Sequence, residues 1–127
     1  MAVKGNTIVA IGPDGALAKL VTYLPLTQTG LDTGQPVGPD MLGYSDRSVQ
    51  ITGTFGVTGS VSVEGSHDGV TYAVLTSPAG TALTFTTAGI RQILEAVPYM
   101  RPNCTAGDGT TSLTVSFFIR RGQRGTV

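Results

Sequence analysis

The sequence predicts an all-β fold: an antiparallel β-sandwich of about eight strands, with a jelly roll favoured over an immunoglobulin-like arrangement. Three observations carry this prediction. Apolar and polar residues alternate along several short segments, turn signals separate those segments at short intervals, and charged residues make up only 13% of the chain. Because exposed helices normally carry many Lys and Glu residues, so low a charge content favours hydroxyl-rich strands.

Length and composition suit one domain that spans residues 1–127. Eight basic residues balance eight acidic ones, so no overall charge draws the protein to nucleic acid or to an acidic membrane surface. The apolar runs are too short for a signal peptide or a membrane span. We therefore expect a soluble protein that binds neither nucleic acid nor a membrane and that recognises its partner by shape.

The first two strands are predicted to form a hairpin over residues 7–11 and 16–23. The turn between them contains Pro13, which presets φ, Asp14, which can accept hydrogen bonds from nearby amides, and Gly15, which tolerates a positive φ.

The alternation lapses between residues 24 and 44, where three prolines and four glycines fall. This composition predicts an extended arm or a long loop, and loops of that length in compact domains often contact something else. Its apolar residues are therefore candidate interface residues: Leu24, Leu26, Leu31, Val37, Met41 and Leu42.

Regular alternation resumes after Tyr44. Val49, Ile51 and Phe55 share one face of a predicted strand, and Gly53 interrupts that inner row, which indicates a bulge or a close backbone approach. Further short strands are predicted over residues 60–64, 71–75 and 82–86. Their inward residues are Val61, Val63, Leu83 and Phe85.

The last third of the chain contains one helix-like segment and two more strands. Residues 90–96 place Ile90, Ile93 and Leu94 at helical spacing, which predicts a helix of at most two turns. Residues 97–105 are predicted to be a strand if their prolines fall at a sheet edge or at ladder ends. The clearest strand covers residues 112–120, with an inner row of Leu113, Val115, Phe117 and Ile119.

No residue pattern points to catalysis. His67 is the only histidine and lies in a tight turn, which favours an ordinary turn residue over a general base. Cys104 lies on a predicted strand and is expected to be a buried, inert thiol. Nothing indicates that Glu64 and Glu95 converge as a glycosidase pair.

The aspartates do not indicate a metal site either. Turn chemistry accounts for Asp14, Asp68 and Asp108, each of which precedes a glycine. We therefore expect neither an enzyme nor a site for a metal or cofactor.

Charge and one aromatic residue suggest an interaction surface. The chain before Thr71 has three basic and six acidic residues, a net charge of −3, whereas the remainder carries +3. This asymmetry could steer one end of the domain to an acidic surface or to a neighbouring copy, although a solvated tail is the plain alternative.

Phe118 faces away from the row of Phe117 and could form an exposed patch, unless residues 90–94 cover it. The resulting candidates are Phe118, Arg120, Arg121 and Arg124.

Residues 48–75 resemble a pattern found in small structural proteins of tailed bacteriophages. The resemblance continues through residues 83–89, 99–102 and 107–115. Residues 64–72, Glu-Gly-Ser-His-Asp-Gly-Val-Thr-Tyr, are also similar to a strand-turn-strand element of jelly-roll carbohydrate-binding and discoidin-like domains. Those domains usually carry Trp where Tyr72 stands here.

The resemblance to phage proteins implies a capsid decoration, or cement, protein. Such a protein is made in the host cytoplasm, sits on the outer surface of the phage head as a homo-oligomer, either a dimer or a trimer, and binds the major capsid protein. A carbohydrate-recognition module and a tail or baseplate component are the alternatives. Sugar platforms normally need exposed aromatic rings, and the chain has only four Tyr and four Phe. The scarcity of aromatic residues favours the assembly role.

Overall fold

The computed structural model describes residues 3–11, 18–27, 32–38 and 44–121, which form two β-sheets packed face to face. The described residues contain strands, turns and bends but no helix. The predicted all-β sandwich is therefore confirmed. None of these residues belongs to a helix that is long and apolar enough to cross a membrane.

The described residues contain strands of very different lengths. Seven of them are five to nine residues long, and the other five are two residues each. In chain order they are β1 (Val3–Lys4), β2 (Asn6–Ile11), β3 (Ala18–Tyr23), β4 (Leu26–Thr27), β5 (Thr33–Gly34), β6 (Asp46–Thr54), β7 (Ser60–Ser66), β8 (Ala73–Val74), β9 (Thr84–Phe85), β10 (Gly89–Ile93), β11 (Tyr99–Ala106) and β12 (Ser112–Arg120).

Within the described ranges, each sheet contains six strands. Sheet A has the order β1-β5-β11-β7-β8, with β9 also paired to β7. Sheet B has the order β10-β6-β12-β3-β2, with β4 also paired to β12. The β1–β5 pair is parallel and the other strand pairs are antiparallel. The predicted first hairpin is confirmed as the β2–β3 pair, although its turn lies outside the described residues.

The core lies between the sheets and is built from alternate residues of the long strands. On β12, every second residue is buried while its neighbours turn outward, so one strand supplies both a core row and a surface row. The edge of the Tyr23 ring packs against Phe117, with 5.7 Å between ring centroids. The predicted inward residues are buried as expected: Val49, Ile51, Val61, Val63, Leu83, Phe85, Leu113, Val115, Phe117 and Ile119.

Gly53 and Pro102 occupy strand positions that suit their unusual backbones. Gly53 has a φ of 112°, and a Cβ there would collide with the backbone oxygen of Ser112, so the predicted close approach is confirmed. Pro102 lies opposite Val63, whose backbone groups bond to Leu75 and Leu83 instead of to β11. The missing amide of Pro102 therefore breaks no ladder bond with β7.

The predicted helix over residues 90–96 is wrong, because residues 89–93 form strand β10 along the edge of sheet B. Ile93 points into the core, whereas Ile90 and Leu94 are exposed. Spacings of three and four residues arise on a strand as well as on a helix when one apolar residue faces the core and others face solvent. Pairing with β6 decides the conformation here.

The segment 24–44 is more integrated than the predicted arm or long loop. β4 pairs with β12 in sheet B, and β5 lies between β1 and β11 in sheet A. Val37 and Met100 exchange backbone hydrogen bonds of 2.8 and 3.2 Å. The described parts of this segment therefore belong to both sheets. Residues 28–31 and 39–43 lie outside the described residues.

Candidate interaction surface

The outer face of sheet B carries an apolar row formed by Val9, Leu20 and Phe118. Val9 lies opposite Leu20 on the neighbouring strand, and Leu20 lies opposite Phe118. Directly opposed residues of antiparallel strands share a face, so these side chains are adjacent. Val9 is 51% exposed and Phe118 is 37% exposed, and Leu20 lies half-buried between them. We call these three residues the apolar row.

Phe118 is the exposed aromatic side chain of this protein. All eight Tyr and Phe residues lie within the described residues, and the other seven are buried or half-buried. The predicted outward orientation of Phe118 is therefore confirmed. Residues 90–94 do not cover it, because β10 runs along the sheet edge two strands away.

A shallow groove extends from Phe118 to the β10 edge. Phe118 lies opposite Ser48, and Ser48 lies opposite Gln92. Ile90, which is 58% exposed, and Arg91 form the far wall of the groove. Apolar surface thus stands on both sides of a polar floor, an arrangement that suits a protein partner better than a small ligand.

Arg120 lies on the same face of β12 as Phe118, two residues further along. It donates a hydrogen bond to Asp46, with 3.1 Å between Nη2 and Oδ2. The arginine side chain is 57% exposed, so the ion pair holds the guanidinium in place without removing it from solvent. The apolar row therefore has a positioned cation at one end.

More cationic groups surround Tyr44 at this end of the sandwich. Lys19 Nζ lies 5.5 Å from the centroid of the Tyr44 ring, and the Arg121 guanidinium lies 5.6 Å from it. The buried Arg47 donates hydrogen bonds to the carbonyls of Tyr44 and Val97 at 2.7 and 2.8 Å, and burial lowers its pKa. We call Lys19, Arg120 and Arg121 the basic end. Arg47 was not predicted as a residue of this surface, although a charged residue in the inner row of β6 is unusual and could have indicated it.

The remaining interface candidates divide into three groups. Leu24 is exposed and stays available to a partner. Leu26 and Val37 are buried in the core, so their side chains form no surface on this domain. This burial follows from the pairing of β4 with β12 and of Val37 with Met100. The others lie outside the described residues: Leu31, Met41, Leu42 and Arg124.

The outer face of sheet A differs, because its polar residues bond to one another. Glu64 accepts hydrogen bonds from Arg101 at 3.1 Å and from Asn103 at 3.0 Å. The Arg101 guanidinium lies 3.8 Å from the centroid of the Tyr72 ring. This stacking covers one face of the ring, and the Tyr72 hydroxyl is buried without a hydrogen-bond partner. The cluster was not predicted, because Glu64 and Arg101 are 37 residues apart.

The aspartates of two turns are held by local hydrogen bonds. Asp68 accepts bonds from the amides of Val70 and Thr71, each at 2.9 Å, and these bonds lower its pKa to about 2. Asp108 accepts a bond from the Thr110 hydroxyl and one from the Val57 amide, and its pKa is also lowered to about 2. Both aspartates thus serve turn geometry, as the sequence predicts.

The candidate carboxylates and the candidate thiol have separate hydrogen-bond partners, although His67 and Glu95 line one open pocket. Cys104 is buried, and burial raises the pKa of its thiol. His67 is exposed in the turn after β7. Glu95 accepts hydrogen bonds from the Thr76 amide and hydroxyl at 2.9 and 2.6 Å, while Glu64 bonds within sheet A. Among the described residues, no group of three or more His, Cys, Asp and Glu side chains could hold a metal ion.

Comparisons with known proteins give structural likenesses but no family. No protein-family model and no curated protein matches the chain. The SPBc2 prophage-derived protein YomS is similar in structure, with a TM-score of 0.56 at 9% identity over 82% of this chain and 95% of that one. An RmlC-like cupin from Shewanella frigidimarina NCIMB 400 has a TM-score of 0.41 at 12% identity, over 96% of this chain and 89% of the cupin. The likeness to YomS supports a shared β-sandwich architecture.

Proposed function

We propose that this protein is a structural component of a phage virion, a decoration protein that binds the outer surface of the head and stabilises contacts between coat subunits. Its partner is the major capsid protein. The contact is made by the outer face of sheet B, with the apolar row at the centre and the basic end at its rim. The exposed side chain of Phe118 is the observation that carries this proposal.

The apolar row has the character of an interface centre. A phenylalanine flanked by aliphatic residues buries a large apolar area on a flat surface. Aromatic residues are enriched among the few interface residues that contribute most of the binding free energy. The neighbouring side chains Ser48, Gln50 and Ser116 are small or uncharged, so little desolvation opposes their burial. A coat surface that presents an apolar patch fits this face.

The basic end favours an acidic rim on that partner. Lys19 and Arg121 lie beside the Tyr44 ring, and Arg120, the neighbour of Arg121 in the chain, bonds to Asp46. Because the whole chain is neutral, this local cationic region orients the protein without attracting it to anions in general. Repeated copies on a symmetric shell then bind firmly even when each contact is modest.

The fold supports a phage role at the level of architecture. The shared β-sandwich with a prophage-derived protein agrees with the resemblance of residues 48–75 to small phage structural proteins. The aromatic residues weigh against carbohydrate recognition, because Tyr23 and Tyr44 are buried and Arg101 covers one face of Tyr72. A sugar platform would need more exposed rings than Phe118 provides.

Virions from the phage or prophage that encodes this chain provide the test. We expect mass spectrometry of gradient-purified particles to detect the protein in fixed proportion to the coat protein. Heads assembled without the gene should bind the added protein in co-sedimentation. Absence from the particles would overturn the proposal, and so would presence only in separated tails or baseplates.

A pair of variants tests the surface itself. Phe118→Ser should weaken binding to such heads by about tenfold or more, because it removes the central aromatic contact. Val57→Ser is the matched control, since Val57 is exposed in the turn that connects β6 to β7 and belongs neither to the apolar row nor to the basic end. Equal binding by the Phe118 variant and the wild-type protein would exclude this face as the contact.

A further inference from the structure

We infer that two copies of this chain pair through strand β2 and form a two-fold dimer in which both B sheets join into one continuous sheet. This inference goes beyond the decoration role and is independent of it, because it concerns the purified protein alone. It rests on the properties of the strands that end the two sheet orders and on the backbone geometry of β2.

Among the described residues, the strands that end the two sheet orders are β1, β8, β10 and β2, and the first three are short or charged. β1 and β8 are two residues each, and Lys4 of β1 pairs with Asp32. β10 carries Arg91 at its centre and begins at Gly89. Short length and charged side chains are the devices by which natural proteins keep sheet edges from pairing with other chains. These edges are therefore protected.

β2 has none of these protections. Its sequence, Asn-Thr-Ile-Val-Ala-Ile, has no charge, proline or glycine, and it pairs with β3 over its whole length without a bulge. Ile8 is 45% exposed and Val9 is 51% exposed, and their neighbours Thr7 and Ala10 are exposed as well. An edge of this length and composition is a template for another strand.

The backbone of β2 presents hydrogen-bonding groups along that edge. The Gly5 carbonyl accepts a bond from the Leu24 amide at 3.0 Å, so these two residues form a hydrogen-bonded pair. Such pairs alternate along antiparallel strands, so the backbone groups of Asn6, Ile8 and Ala10 point away from β3. Another β-strand can satisfy this whole row of donors and acceptors in register.

A second copy of β2 fits this row. In an antiparallel arrangement about a two-fold axis at Ile8, each Ile8 exchanges bonds with Ile8 of the other copy, and Asn6 faces Ala10. The uncharged edge and the neutral chain present no like charges to each other. Val9 is the neighbour of Ile8 in β2, so the apolar row ends next to the two-fold axis. The dimer therefore displays two such rows on one face. Because β10 is protected, growth stops at two copies.

The oligomeric state of the full chain tests this inference. Light scattering after size exclusion should give twice the monomer mass of 13.0 kDa for the wild-type protein. Ile8→Lys should give the monomer, because two lysines would meet at the axis. Ile90→Lys is the matched control, an exposed isoleucine on the opposite edge of the same sheet, and should remain a dimer.

Every other pattern overturns the inference. A wild-type protein that is a monomer or a trimer at high micromolar concentration contradicts the two-fold pairing. A dimer that survives Ile8→Lys, or that dissociates equally with Ile90→Lys, has its interface elsewhere. Hydrogen exchange needs no variant. The Ile8 and Ala10 amides should exchange slowly in the dimer and at least tenfold faster on dilution, and rapid exchange at all concentrations excludes pairing through β2.

Discussion

Arg120 donates a hydrogen bond to Asp46 across the outer face of sheet B, with 3.1 Å between Nη2 and Oδ2, although 74 residues separate the two in sequence. Arg101 and Glu64 make a similar pair on sheet A. In both pairs, an acidic residue from the part of the chain before Thr71 bonds to an arginine from the part after it. The opposite net charges of these two parts are thereby partly neutralised within the domain, so the charge available to a partner is local.

Neighbouring phenylalanines on β12 should differ sharply in their contribution to stability. Phe117→Ala should cost about 3–5 kcal/mol, because it empties a fully buried site between the sheets. Phe118→Ala should cost about 1 kcal/mol or less, since that side chain faces solvent. Urea denaturation of both variants measures the difference. Similar losses would mean that Phe118 is not a surface residue.

The two arginine–carboxylate pairs should also differ. Arg101→Met removes a half-buried ion pair and the contact with the Tyr72 ring, which together should cost about 1–2 kcal/mol. Arg120→Met removes a more exposed pair and should cost about 0.5 kcal/mol or less. Thermal or urea unfolding provides the comparison. A larger loss for the Arg120 variant would contradict the assignment of Arg101 to the stabilising cluster.

Acid should weaken the domain in a defined pH range. The pKa values of Asp68 and Asp108 are lowered in the folded state from 3.8 to about 2. Their hydrogen bonds therefore stabilise the fold above the unfolded-state pKa, and this contribution is lost as the pH falls from about 4 through about 2. In the Asp68→Asn and Asp108→Asn variants, the urea midpoint should decrease less steeply with falling pH in this range than in the wild-type protein. Unchanged slopes in both variants would refute the role of these carboxylates.

Gly53 should tolerate substitution poorly. Gly53→Ala places a Cβ against the Ser112 carbonyl and forces alanine into a backbone conformation with a φ of 112°, at a cost of about 1–3 kcal/mol. Gly109→Ala is the matched control, because a Cβ there meets no atom within 4 Å. It should leave the free energy of unfolding nearly unchanged. Equal free energies of unfolding for the two variants would contradict the close approach of β6 and β12 at Gly53.

The sequence predicts the long strands well, because period-two alternation is a local signal. β12 matches its predicted range of 112–120, and the outward side of Phe118 follows from that alternation. The short strands β4 and β5 and the Val37–Met100 pair have no such signal, since two residues define no period. For this reason Leu26 and Val37 seemed to be surface candidates, although they are core residues.

The candidate surface could be predicted only in part, because much of it is assembled from distant segments. Phe118 and Arg120 lie on one strand, so the sequence places them together. Val9 and Leu20 join them through pairing across the hairpin, which local patterns cannot bring into register with β12. Tyr44 meets Lys19 and Arg121 only at the end of the folded sandwich.

Electron cryomicroscopy of the virion that contains this chain tests the central proposal most directly. We expect density for the domain on the outside of the head, at a regular position, with the outer face of sheet B against the coat and Phe118 within the contact. A head that lacks this density, or one on which the domain is bound through the outer face of sheet A, would contradict the account.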